Sequence, residues 1–152
     1  MQPELAVGAV VDGEAPEIAL NEAVKNELDL PSSYIQEQGA IQLQEIERRR
    51  ALYLEGRKPV PLRNRTAIIV DDGIATGATV RAALRATRRR KPSSIVLAVP
   101  VAPGETIAAL RSEVDEIVCL HTPADFDGVG RFYDDFRQTD DATVTRLLRQ
   151  RA

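Results

Sequence analysis

Apolar positions along the chain come in two forms: short continuous runs, and longer stretches in which they recur every three or four residues. The runs predict strands and the recurring stretches predict helices. Leu5–Val11 reads as a strand closed by an Asp12-Gly13 turn signal, and Glu17–Leu20 as a second strand able to pair with it as a hairpin. Asn21 suits the cap of a short helix to about Leu28, stopped at Leu30-Pro31. A long helix is expected from Ser33 to Leu54, opened by Ser33 and Gln36 in capping-box spacing and ended by Gly56. Its apolar stripe is partial, which marks a surface helix. Thr66–Val70 is a β-branched run of the kind found in buried parallel strands. After it come a helix from Val80 to about Arg90, a strand over Ser94–Pro100, a helix from Glu105 to about Ser112 and a strand over Asp115–Leu120. An irregular stretch, 121–139, precedes a last helix capped by Asp140 or Asp141 and running to about Gln150.

Strands alternating with helices predict an α/β fold. Its sheet is mainly parallel with helices on both faces, and the N-terminal strands and helix form a small elaboration. Such sheets bind ligands at the carboxyl ends of their strands. No repeat or linker divides the 152 residues, so a single domain over 1–152 is expected.

Composition narrows the chemistry. No apolar run approaches the ~20 residues of a membrane span, and the N-terminus lacks the pattern of a signal peptide, so the cytosol is the expected setting. Cys119 is the only cysteine and His121 the only histidine. An internal disulfide and a His-pair metal site are therefore excluded, and a Ser-His-Asp triad is a poor fit. A net charge of −3 argues against non-specific binding of nucleic acid.

The informative segment follows the Thr66–Val70 strand. Asp71-Asp72-Gly73-Ile74-Ala75 leads into Thr76-Gly77-Ala78-Thr79 at the start of a helix. A helix N-terminus exposes unpaired N–H groups and a partial positive charge. Small residues there let an anion approach the backbone, and Thr76 and Thr79 add hydroxyl donors, which makes a phosphate cradle. Two ionised carboxylates accept hydrogen bonds and cannot donate them, so Asp71 and Asp72 suit a vicinal diol. Phosphate donors beside diol acceptors describe a site for a ribose 5-phosphate. The segment is not a P-loop, since it lacks Gly-Lys-Ser/Thr, nor a G-x-G-x-x-G dinucleotide loop.

Val70-Asp71-Asp72-Gly73-Ile74-Ala75-Thr76-Gly77-Ala78-Thr79 resembles the phosphoribosyl-pyrophosphate (PRPP) signature of type I phosphoribosyltransferases. Leu97–Pro103 and Tyr133–Thr139 resemble a bacterial branch of that family. The resemblance implies a transferase that moves a phosphoribosyl group to or from a nitrogenous base. Gly73, Ala75, Thr76, Gly77, Ala78 and Thr79 would hold the phosphate, and Asp71 and Asp72 would act as the catalytic pair on the ribose hydroxyls. Mg²⁺ would be bound through substrate, with Asp71 or Asp72 as its protein ligand. PRPP or a nucleoside monophosphate and a base are the implied partners, with no nucleic acid and no membrane.

The family's first strand–loop–helix unit, whose Gly-rich loop wraps the pyrophosphate, has no counterpart before residue 66. The domain is therefore expected to be N-terminally incomplete. A non-catalytic sensor of PRPP or nucleotide, and a subunit inactive alone, are the alternative functions. A partner chain could cover the gap, and a homodimer is the assembly considered.

Phe126, Phe132 and Tyr133, with Phe136, cluster after the last strand, where family members place an aromatic against the base. A satellite cluster pinning the loop is the other reading. Asp125 and Asp127 suit either a base edge or solvent. His121 reads as a surface imidazole and Cys119 as a small buried hydrophobe. Arg48, Arg49 and Arg50 are expected to pair with Glu45 and Glu47, and Arg81 to Lys91 to form a solvated helix end.

Overall fold

A computed structural model describes residues 8–11, 17–20, 31–58 and 60–150. The expected helix over 21–28 lies outside them. Strands β1 (Gly8–Val11) and β2 (Glu17–Leu20) pair antiparallel, Gly8 opposite Leu20 and Val11 opposite Glu17, as the hairpin reading expects. The main sheet has β3 (Thr66–Val70), β4 (Ser94–Val101) and β5 (Glu116–His121) in that order, all parallel. β4 is central. Ala67 lies opposite Ile95 on one side, and Leu97 opposite Ile117 on the other.

Alternation along β4 decides the core. Ile95, Leu97, Val99 and Val101 are buried, and the residues between them are half-buried. Ile95, Leu97 and Val99 of this set cluster with Val80 and Leu84 of α2 (Ala78–Arg89) and Ile107 and Leu110 of α3 (Gly104–Leu110). Cys119 packs partly buried against the same cluster, as a small hydrophobe would. The α/β class, the parallel sheet and the order of elements agree with expectation. The opposite face differs from it. Ile68, Val70, Val118 and Leu120 are 65%, 74%, 41% and 80% exposed, so the second helical layer is not supplied among the described residues. The remaining helices, α1 (Ser32–Leu54) and α4 (Asp141–Arg149), pack on each other instead.

That pairing is largely polar. Tyr53 donates its phenol to Asp141, and Arg48 reaches the other carboxylate oxygen of Asp141 at 2.8 Å. Arg149 of α4 pairs with Glu55. Arg48 and Arg49 also pair with Glu45, and Arg50 with Glu47, as their helical spacing predicts. The capping box at Ser33 is corrected: Pro31, extended at φ −61° and ψ 143°, takes the cap position, and no side chain caps the helix. Helical geometry thus begins at Ser32, one residue early, and Ser33 lies inside the first turn. At the far end Arg57 donates to the carbonyls of Leu54 and Tyr53, closing α1. Asp140 caps α4, accepting the Thr143 N–H at 2.7 Å.

Candidate functional site

The carboxyl ends of β3, β4 and β5 meet the loop 71–77, which joins β3 to α2. Three residues of this loop are held by distinct contacts. The Asp71 N–H reaches the Ala98 carbonyl at 3.4 Å, barely extending the β3–β4 ladder. Ile74 donates its N–H to the Val101 carbonyl at 3.0 Å and buries its side chain in the core. The Thr106 hydroxyl, itself buried on α3, donates to the Ala75 carbonyl at 3.0 Å. Around these anchors Asp72, Thr76 and Thr79 are exposed, Ala75 and Ala78 are half-exposed, and Gly77 is buried.

Two glycines are needed for different reasons. Gly77 is the N-cap of α2 with φ 77°, a left-handed conformation in which a Cβ is strained. Gly73 is required by space alone: a Cβ there would lie 2.5 Å from a methyl of Val129 and 3.0 Å from one of Val101. No side chain caps α2, so the N–H groups of its first turn are unclaimed by a capping side chain, and the exposed Thr76 and Thr79 flank them in sequence.

Asp71 and Asp72 sit at the mouth of this turn. The Asp72 N–H donates to Oδ1 of Asp71 at 3.0 Å. Asp71 is half-buried. Burial pushes its carboxyl above the usual carboxylate range, and the neighbouring charge of Asp72 pushes the same way, against the pull of that hydrogen bond. Among the described residues no cluster of three or more His, Cys, Asp or Glu side chains could hold a metal unaided. Two adjacent carboxylates are a donor set for a hard cation whose remaining ligands come from a substrate's oxygens.

The aromatic segment divides. Tyr133 comes to the acid pair: its phenol donates to the Asp72 carbonyl at 2.6 Å, and its ring lies 5.1 Å from that of Phe136. Burial raises the Tyr133 phenol above its ordinary value, with the charges of Asp72 and Asp71 adding to it. Phe126 and Phe132 instead stack on each other, centroids 5.7 Å apart and planes 16° apart, with His121 edge-on to Phe132. They line a cleft of about 490 Å³ with Asp125, Asp127 and Arg131, and Arg131 is paired to Asp127. A larger cleft, about 670 Å³, lies between α1 and α4 and includes none of the loop 71–79.

Sequence reasoning did not single out Val129 or Thr106 as supports of the loop. Each is an ordinary residue, and its role comes from a contact made across the chain. The basic residues of α2 are partly used in structure: Arg81 in its first turn pairs with Glu113 at 3.1 Å, and Arg88 in its last turn with Asp115 at 3.1 Å.

A model of the phosphoribosyl transferase domain matches residues 18–136. Two Mycobacterium tuberculosis proteins, named "Putative phosphoribosyl transferase MT0597" and "Putative phosphoribosyl transferase Rv0571c", are each 43% identical over 147 residues. The match takes in 97% of this chain and 33% of each relative, so the chain spans about a third of the length of the curated relatives it matches. The crystal structure of the protein TT1426 from Thermus thermophilus superposes with a TM-score of 0.71 at 34% identity, over 97% of this chain and 69% of that one. Among the described residues no helix is long and apolar enough to cross a membrane. The acid pair, the glycine-dependent turn and the open helix end therefore stand in a chain that belongs to the phosphoribosyl transferase domain family.

Proposed function

We propose that this chain binds PRPP or a nucleoside 5′-phosphate at the loop 71–79 and transfers a phosphoribosyl group to or from a nitrogenous base. The observation that carries the reading is the α2 N-terminus without a side-chain cap, opening directly beside two adjacent carboxylates. The 5′-phosphate would take the first-turn N–H groups and the hydroxyls of Thr76 and Thr79. Asp71 and Asp72 would accept the ribose 2′ and 3′ hydroxyls. The same carboxylates place negative charge beside the ribose, favouring the positive charge that develops at C1 as pyrophosphate leaves and a base nitrogen bonds to that carbon. Mg²⁺ fits this donor set, and when bound it would neutralise pyrophosphate charge, with Asp71 or Asp72 as its ligand. The base would take the cleft beside Phe126 and Phe132, with Asp125 and Asp127 as hydrogen-bond acceptors.

Calorimetric titration with PRPP and Mg²⁺ tests the site. The unaltered chain binds, and Asp71→Asn with Asp72→Asn weakens binding at least tenfold, the loss of about two hydrogen bonds to charged groups. Pyrophosphate release on adding a base then separates a transferase from a module that only binds. Unchanged PRPP affinity in the double variant sinks the site assignment.

A further inference from the structure

We infer that Tyr133 is a positioning residue for the acid pair, one that fixes the peptide of Asp72 through its hydroxyl and so sets where the diol acceptors stand. The inference rests on the proposed reading of Asp71 and Asp72 as acceptors of ribose hydroxyls. Two contacts from a single short segment, the 3₁₀ turn Val129–Phe132 and the residue after it, converge on the acid-pair loop. One is steric: buried Val129 fills the space that a Cβ on Gly73 would need. The other is polar, the 2.6 Å hydrogen bond from the Tyr133 hydroxyl to the Asp72 carbonyl.

Asp72 is thereby held at both of its backbone polar groups. Its N–H is taken by Asp71 Oδ1 and its carbonyl by Tyr133. A residue fixed at both backbone groups leaves its side chain little freedom beyond its own torsions. Tyr133 is itself braced. Its ring packs on Phe136, and Phe136 lies against Gly130, where a Cβ would come within 3.0 Å of the Phe136 ring. The segment is therefore a strut from the end of β5 back to the end of β3, across 61 residues of sequence. The stacking role expected of Tyr133 from family resemblance needs only its ring. The positioning role needs only its hydroxyl.

Tyr133→Phe separates the two. It keeps the ring and the packing on Phe136, and it removes the donor. The probes are ribose 5-phosphate and 2-deoxyribose 5-phosphate, each titrated with Mg²⁺ by calorimetry. Both carry the phosphate, and only the first carries the diol. The unaltered chain prefers the ribose form. In Tyr133→Phe that preference narrows about three- to tenfold, the worth of one hydrogen bond, with the smaller loss of affinity for the deoxy form, which keeps only the 3-hydroxyl for the acid pair. A thermal melt confirms that the variant is folded. An unchanged preference in a folded Tyr133→Phe overturns the inference and leaves the diol reading intact. An unaltered chain with no preference for ribose overturns the diol reading, and this inference with it. Equal loss of affinity for both sugars also overturns it, since the phosphate cradle and not the acid pair would then have moved.

Discussion

At Asp71, folding and the proposed acceptance of ribose hydroxyls favour opposite protonation states. Half-burial raises its carboxyl, so the folded chain holds the proton at a pH where the unfolded chain has released it. The sign follows from linkage: a carboxyl raised on folding takes stability away as pH climbs through and above the ordinary aspartate range. Asp71→Asn keeps an oxygen for the Asp72 N–H and removes the charge. The variant therefore melts at a higher temperature than the parent at pH 7, and the gap closes as the solution is acidified and the parent's Asp71 takes up its proton. Melting curves at pH 7 and below pH 4 check this. A residue that costs stability yet lies beside an exposed acid and an uncapped helix end is what a site under functional demand looks like. Its place was legible because two acids follow an apolar run and precede Thr-Gly-Ala-Thr. What fixes it was not legible, since Val129 and Tyr133 approach from more than fifty residues away and carry no local signal.

The elements were legible wherever local sequence and tertiary packing agree. β4 alternates buried and half-buried residues and sits between two partners, and its apolar run shows as much. α1 is the counter-case. Its stripe is weak, its only buried residue is Gly39, and with Pro31 as cap it starts ahead of Ser33, the serine that looked like a cap. One residue adds a polar tie between α2 and the sheet. Asp115 accepts the Ile95 N–H at 2.7 Å and the Arg88 guanidinium at 3.1 Å, tying the start of β4 to the end of α2. The Ile95 hydrogen bond and then Arg88 hold its carboxyl below the usual range. A carboxyl lowered on folding adds stability that is complete above the ordinary aspartate range and drains away as pH falls from that range to the folded value. Asp115→Asn should therefore unfold at lower urea than the parent at pH 7, with the difference shrinking as pH falls through the aspartate range. A constant difference between pH 7 and pH 3 would show that shape, not charge, makes the tie.

On the scale of the whole molecule, the sheet has one face built and, among the described residues, one face bare. Ile95 and Leu97 are fully enclosed beneath α2 and α3, while Val70 and Leu120 on the other face are 74% and 80% exposed. The sequence pattern could not show this asymmetry. Strands that alternate with helices imply helices on both faces, and the β-branched run of β3 reads as buried on both sides. In this chain the helices that might have formed that layer are tied to each other through Asp141, Tyr53 and Arg48. β3 also has a single strand neighbour among the described residues, so its outer edge offers backbone groups to any strand that can reach it. The asymmetry can be measured by paired truncations of one residue type. Leu97→Ala removes a side chain with no solvent exposure and leaves a cavity, at a cost of about 2–5 kcal/mol. Leu120→Ala removes the same atoms from a surface already in water and shifts stability by at most ~0.5 kcal/mol. Urea unfolding of the two variants against the parent gives both values, with the slope against urea checking that the unfolded states are comparable. If Leu120→Ala costs as much as Leu97→Ala, the bare face is covered in solution, and the core of this chain is two-sided after all.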